Sequence, residues 1–269
     1  MPHVGAGPRT RATLFDVRWL PVVPVLVLAA ACTSAPGEPE RPAPGVEVLG
    51  SIPHDTSAFT QGFELADGVL YEGTGLVGQS SLRALDPATG EVRDRVDLPP
   101  PLFGEGVTVV GDHIWQLTWR DGIAIQWDRR TLEEVKRVTY EGEGWGLCRD
   151  GGRLVMSDGT EELRFLDPVT FAETGRVTVR RNGIPLVRIN ELECVDGRVW
   201  ANLWQLDEVV RIDPGTGDVL DTVDLGSLRP ADVPASDVLN GIAAVPGTDE
   251  FLVTGKNWPK VFRVRLRTG

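Results

Sequence analysis

Four copies of one turn punctuate the chain: "DPATGEV" (Asp86–Val92), "DRRTLEEV" (Asp128–Val135), "DPVTFAET" (Asp167–Thr174) and "DPGTGDV" (Asp213–Val219). A short β-prone run precedes each, in turn "SLRAL", "IAIQW", "LRFL" and "VVRI". Upstream again stands a second run opening just after an Asp-Gly or similar turn: "GVLYEGTG", "HIWQLTW", "RLVMSDG" and "RVWANLW". "EFLVTGK" is a fifth copy of that second run, without the downstream turn. Helical periodicity is nearly absent. Short β-rich runs between Gly, Asp and Pro turns mark an all-β chain.

The first strand of each unit opens with "TQGF", "GEGV", "GWGL", "NELE" or "LNGI". Anchored on Gly62, Gly106, Gly146, Leu192 and Gly241, the units are spaced by 44, 40, 46 and 49 residues. Four strands in each such unit, five units in all, predict a five-bladed β-propeller. The fifth unit ends at "KVFRVRL" (Lys260–Leu266) and lacks an outer strand, while "VEVLGSI" (Val46–Ile52) is a strand without a unit. The N-terminal strand is therefore expected to complete the last blade and leave the ring without an open edge.

The N-terminus reads differently. Arg9, Arg11 and Arg18 precede the apolar run "WLPVVPVLVLAAAC", which ends at Cys32. A basic segment, a short apolar stretch and small residues before a cut site describe an export signal over residues 1–31. Cys32 after three alanines resembles a bacterial lipobox, although Ala29 stands where Leu is usual. The alternatives are a lipid anchor at Cys32 or a plain cleavage. Residues 32–45 form a Pro-rich tether, and 46–269 the propeller. An exported protein follows, secreted or periplasmic, or held to the membrane by a lipid at Cys32 alone, and a monomer is expected. The formal net charge of −12 becomes −14 without Arg9, Arg11, Arg18 and Asp16. That argues against nucleic acid, whose binding needs a cationic face. Cys148 and Cys194 sit at equivalent places in consecutive units. They either bridge, which an exported location permits, or remain two small buried thiols.

Equivalent positions of all blades converge around a propeller axis. The residue before each anchor is Gln61, Glu105, Trp145, Glu191 or Asn240; the last residue of the second run is Gly75, Trp119, Gly159, Trp204 or Lys256. Glu191 is assigned to the mouth, with Glu193 expected on the opposite face. Glycine leaves space that Trp119, Trp145 and Trp204 wall, and Glu105, Lys256, Gln61 and Asn190 bring polar groups to it. Each residue alone has an ordinary packing or surface role open to it; the shared slot points to a small-ligand pocket.

The series "FTQGF", "YEGTGLVGQSSLR", "FGEGVT", "QLTW", "EGWGL", "MSDGT", "INELE", "ANLWQLD" and "LNGIA…VTGKNWPKVF" resembles the plant and bacterial glutaminyl-peptide cyclotransferases, in order from Phe59 to Phe262. The resemblance implies a five-bladed propeller enzyme that needs no zinc or other cofactor. Its substrates are peptides and proteins with N-terminal glutamine, converted to pyroglutamate with loss of ammonia. By motif match the proton-transfer residue falls on Glu105. Pocket residues fall on Phe59, Gln61, Phe103, Trp119, Trp145, Asn190, Trp204 and Lys256. Gly73 stands where the family usually has Ser, and Cys148 and Cys194 where Thr and an aromatic are commoner.

The chemistry suits those residues. The substrate's amine attacks its own side-chain amide, so one carboxyl can take a proton from the attacking nitrogen and return it to the departing one. Lys256, Gln61 or Asn190 can stabilise the oxyanion. Of the three histidines, His3 falls in the signal, and no HExxH occurs, which disfavours a histidine-rich zinc site. Two other function classes share the outline: a non-catalytic exported propeller that binds peptide or glycan at the same mouth, and a calcium-dependent lactonase-type propeller, which would want several Asp, Asn and Glu ligands around the axis where the slots offer only Glu105, Glu191 and Asn240.

Overall fold

The structure, a computed structural model, describes residues 45–268. The export signal, Cys32 and nearly all of the tether lie outside the described residues.

Among the described residues, five antiparallel four-stranded sheets form the blades, with one two-stranded hairpin besides. Blade 1 comprises β2 (Thr60–Ala66), β3 (Val69–Thr74), β4 (Ser81–Leu85) and β5 (Val92–Asp97). Blade 2 comprises β6 (Gly104–Val110), β7 (His113–Thr118), β8 (Ile123–Asp128) and β9 (Glu134–Thr139). Blade 3 comprises β10 (Leu147–Asp150), β11 (Arg153–Met156), β12 (Glu162–Leu166) and β13 (Glu173–Thr178). A small hairpin, β14 (Arg180–Arg181) and β15 (Ile184–Pro185), leads to blade 4. That blade comprises β16 (Ile189–Val195), β17 (Arg198–Leu203), β18 (Glu208–Ile212) and β19 (Val219–Asp224). Blade 5 comprises β20 (Leu239–Ala244), β21 (Glu250–Gly255) and β22 (Lys260–Arg267), with β1 (Gly45–Pro53) as its fourth strand. Val46 pairs with Leu266 and Ile52 with Val261, so the N-terminal strand closes the ring as the repeat arithmetic predicts.

The recurring turn has a local cause. Asp86 Oδ1 accepts from the N–H groups of Ala88 and Thr89, Asp128 Oδ1 from Arg130 and Thr131, and Asp167 Oδ1 from Val169 and Thr170. A side chain that bonds its own backbone two and three residues on makes a turn independent of distant contacts. Those same bonds hold the three carboxyls below the usual aspartate range.

Apolar burial is partitioned by interface. Phe63 and Leu70 of blade 1 pack against Ala243 and Leu252 of blade 5. Tyr71 and Leu82 meet Val107 and Ile114 of blade 2; Trp115 and Leu117 meet Leu147 and Leu154 of blade 3. Val155 and Leu163 meet Leu192 and Val199 of blade 4, whose Trp200 and Val209 reach Ile242 and Phe251 of blade 5. Cys148 of β10 and Cys194 of β16 form a disulfide across blades 3 and 4, with Cα atoms 5.4 Å apart. Bridging is the alternative realised.

The inner strands touch in the cycle β2, β6, β10, β16, β20, and they approach backbone to backbone. A Cβ on Gly62 would lie 2.4 Å from Val107 N; one on Gly106, 2.6 Å from Trp145 O; one on Gly146, 2.1 Å from Asn190 O. Glycine is required there because any side chain would displace the next blade.

Register corrects the assignment of Glu191. Val107 pairs with Gln116, Leu192 with Ala201 and Ile242 with Val253, which places Asn190 and Asn240 level with Glu105. Glu191 occupies the glycine position instead. Its carboxylate accepts from Phe63 N at 3.2 Å and Ile242 N at 2.8 Å, reaching blades 1 and 5. Glu193, two residues on, shares that face as strand alternation requires and accepts from Ala244 N at 3.2 Å. It does not turn to the opposite face.

Candidate active site

The loop ends at one mouth of the ring enclose a cavity of about 360 Å³. It is lined by Phe59, Gln61, Phe103, Glu105, Trp119, Trp145, Asn190, Trp204 and Lys256, the nine residues singled out in the sequence, together with Arg120 and Glu143. Each blade contributes through its inner strand or the loops beside it, so residues up to 197 positions apart share one space.

The walls are aromatic. Phe59 meets Phe103 edge-on with ring centres 6.2 Å apart, Phe103 lies 5.4 Å from Trp119, and Trp145 meets Trp204 edge-on at 5.6 Å. The small slots serve these rings. A Cβ on Gly75 would lie 2.4 Å from Phe103 Cε1, and one on Gly159 2.6 Å from Trp145 Cζ2. Glycine there makes room for the wall rather than for a ligand. The other described tryptophans, Trp115, Trp127, Trp200 and Trp258, belong to the cores between blades.

Glu105 stands at the floor, 3% exposed. Its Oε1 accepts from Gln61 Nε2 at 2.9 Å, while Oε2 has no partner among the described residues. Burial pushes its carboxyl well above the usual range. Lys256 opposes that push and Glu143 adds to it. A carboxyl held in that way sits nearer neutrality, where a group that both accepts and donates a proton works best. Gln61 is itself oriented, since Asn240 Nδ2 donates to Gln61 Oε1 at 3.1 Å and to Thr60 O at 3.0 Å. The amide of Gln61 therefore turns its N–H toward Glu105.

Lys256 is buried, and its Nζ lies 4.7 Å from the centre of the Phe59 ring. Desolvation lowers its pKa, against the attraction of Glu105 and Asp237. Asn190 is 2% exposed and lines the cavity; the hydrogen bond recorded at this residue runs from Ser157 Oγ to its backbone carbonyl.

Two lining residues escaped the sequence reading. Glu143 lies two places before Trp145, the register that holds Phe59 and Phe103 in blades 1 and 2; that shared register is the signal that marks it. Arg120 follows Trp119 and covers its ring at 3.7 Å. Asn240, which the shared slot already places at this mouth, orients Gln61. No cluster of three or more His, Cys, Asp or Glu side chains placed to hold a metal ion occurs among the described residues.

A sequence model described as glutamine cyclotransferase matches residues 23–266. The chain belongs to the glutamine cyclotransferase family. Within its reach, a glutaminyl-peptide cyclotransferase of Arabidopsis thaliana is 40% identical over 228 residues, 82% of this chain and 71% of that protein. The crystal structure of Myxococcus xanthus glutaminyl cyclase matches with a TM-score of 0.79 and 38% identity, covering 84% of this chain and 98% of that one.

Proposed function

We propose that this member of the glutamine cyclotransferase family is a glutaminyl-peptide cyclotransferase, closing the N-terminal glutamine of peptides to pyroglutamate and releasing ammonia. The observation that carries the proposal is a buried carboxyl, Glu105, with one oxygen that has no partner among the described residues, at the floor of an aromatic cavity. The aromatic walls hold the glutamine side chain curled toward its own amine, which makes the attack an oriented intramolecular step. Glu105 takes a proton from the attacking nitrogen as the C–N bond forms, and returns it to the side-chain nitrogen that departs as ammonia. Gln61 is committed to Glu105 and Asn240, which leaves Lys256 and Asn190 as the donors to the oxyanion. Phe59, Phe103, Trp119, Trp145 and Trp204 bind the substrate.

The transfer of an acyl group from one nitrogen to another places the reaction among aminoacyltransferases. Export is proposed with it: the segment before Cys32 reads as a signal, and the Cys148–Cys194 disulfide suits an oxidising compartment. Lipidation at Cys32 is the proposed membrane attachment.

Mass spectrometry of a Gln-initiated peptide incubated with the purified protein tests the function. The expected product has lost ammonia, and Glu105→Gln, though folded, yields none. Wild-type protein that leaves the peptide intact would refute the proposal.

A further inference from the structure

Glu143 lines the cavity but takes no part in the chemistry above. Its Oε2 accepts from two indoles at once, Trp119 Nε1 at 2.8 Å and Trp145 Nε1 at 2.9 Å. Those tryptophans belong to different blades: Trp119 follows β7 of blade 2, and Trp145 precedes β10 of blade 3. The other oxygen accepts from Arg120 Nε at 2.8 Å, and the Arg120 guanidinium lies 3.7 Å over the Trp119 ring. One carboxylate thus ties together two walls and the cation stacked on one of them. A carboxylate oxygen has lone pairs for two donors, and such charge-assisted bonds are stronger than neutral ones.

Both indoles face the cavity, and no apolar cluster between blades includes either. An indole whose N–H is unanchored on an open wall can change rotamer, and the curled glutamine depends on the walls. We propose that Glu143 is a positioning residue for the cyclisation, fixing Trp119 and Trp145 at the separation that holds the reacting glutamine, with its charge in the cavity that Glu105 also lines. This rests on the reading of the cavity as a glutamine site.

Glu143 itself stays ionised. Burial pushes its carboxyl up, but bonds from Trp145, Arg120 and Trp119 outweigh that and hold it below the usual range. Glu105 is faced by Gln61 of blade 1, Lys256 of blade 5, Tyr140 at the end of blade 2 and Glu143 before blade 3. Of these, Glu143 carries the negative charge that opposes its ionisation.

Two variants separate the contributions. Glu143→Ala removes clamp and charge; its KM for a Gln-peptide should rise about tenfold, the scale of losing charged hydrogen bonds, and its near-ultraviolet circular dichroism should change as the indoles loosen. Glu143→Gln keeps an oxygen for the indoles and drops the charge. Its KM should stay within about threefold of wild type, while the acid limb of kcat/KM against pH moves to lower pH. The substrate amine is common to both proteins, so the displacement reports Glu105. Wild-type KM, dichroism and pH profile in Glu143→Ala would overturn the proposal. Should that variant not fold, an unmoved acid limb in Glu143→Gln overturns it instead. Wild type assayed alongside keeps the claims apart: if wild type releases no ammonia the glutamine site itself is wrong, and this role falls with it, whereas active wild type with an unaltered variant sinks the clamp alone.

Discussion

Gln61 Nε2 donates to Glu105 Oε1 at 2.9 Å, and the bond joins blade 1 to blade 2 at the floor of the cavity. Asn240 of blade 5 sets its direction by donating to the other end of the same amide. Three blades therefore agree on which way one amide points. Asn240→Ala frees Gln61 to turn its oxygen toward Glu105. The expected result is a fall in kcat of about tenfold, the scale of one lost hydrogen bond to a charged group, with KM changed less. Steady-state kinetics on a Gln-peptide decide it, and an unchanged kcat would detach Asn240 from catalysis.

The rate should follow a bell in pH. Glu105 accepts a proton only when ionised, and burial raises its pKa; activity therefore rises with pH through a value above the ordinary 4.5. Lys256 is lowered from 10.5 by desolvation, so a cationic donor at that position is lost at a lower pH than a surface lysine would be. The two limbs stand closer together than those of an unperturbed Glu and Lys. A kcat profile still flat at pH 10.5, the ordinary lysine value, would exclude charged Lys256 from the mechanism.

His54 and Glu72 form a buried pair where β1 hands over to blade 1. His54 Nε2 meets Glu72 Oε1 at 2.9 Å, His54 Nδ1 donates to Trp258 O at 2.8 Å, and Thr60 Oγ1 donates to the same Glu72 oxygen at 2.7 Å. Burial alone would lower the His54 pKa, but the charge and bond of Glu72 raise it overall. Burial alone would raise Glu72, but the charge and bond of His54, with Arg83, lower it overall. The stability from Glu72 is present above 4.5 and lost as pH falls through its folded value. That from His54 is present below 6.5 and lost as pH rises through its folded value. His54→Ala should cost about 3–5 kcal/mol at pH 5.5 and less at pH 9. Urea melts at the two pH values measure this, and an equal cost at both would show the pair is not ionised.

Glu64, Glu191 and Glu193 have the opposite sign. Burial raises all three, Glu64 to about 7, while backbone donors such as Val109 N and Ile242 N pull the other way. Between 4.5 and those raised values the folded chain keeps protons that the unfolded chain has released, so stability falls as pH rises through that window. Glu193→Gln removes one titrating group and should flatten the decline between pH 5 and 8. A variant whose melts track wild type across that range would contradict this.

The disulfide closes a segment of 46 residues between blades 3 and 4. Chain-entropy arguments give a loop of that size about 4 kcal/mol. The double variant Cys148→Ser, Cys194→Ser should unfold at lower urea by that margin while keeping near wild-type kcat, because neither cysteine lines the cavity.

Much of this was legible because propellers write their symmetry into the chain. Aspartates bonding their own backbone recur once in each of blades 1 to 4, so the turns could be counted and the strands placed between them. Glycines recur where inner strands touch, so the loop ends, and with them Gln61, Glu105 and Trp145, could be brought to one mouth. Blade 4 broke the count. Glu191 takes the place of its glycine, and with no glycine to anchor on, the repeat was aligned one residue late. Glu143 stayed hidden for a related reason: its register is held by phenylalanines in blades 1 and 2, and a carboxylate there looks like an exposed loop residue until both indoles are seen to point at it.

The sequence by itself determined the number of blades, the closing strand and the rim at which Gln61, Glu105 and Trp145 gather, because those follow from local turns and close backbone approach repeated at a fixed period. The tertiary structure decided which oxygen of Glu105 Gln61 holds, which way Gln61 faces, what Glu143 holds, and that Cys148 meets Cys194. Those depend on distances between side chains of different blades, and no local pattern along the chain encodes them.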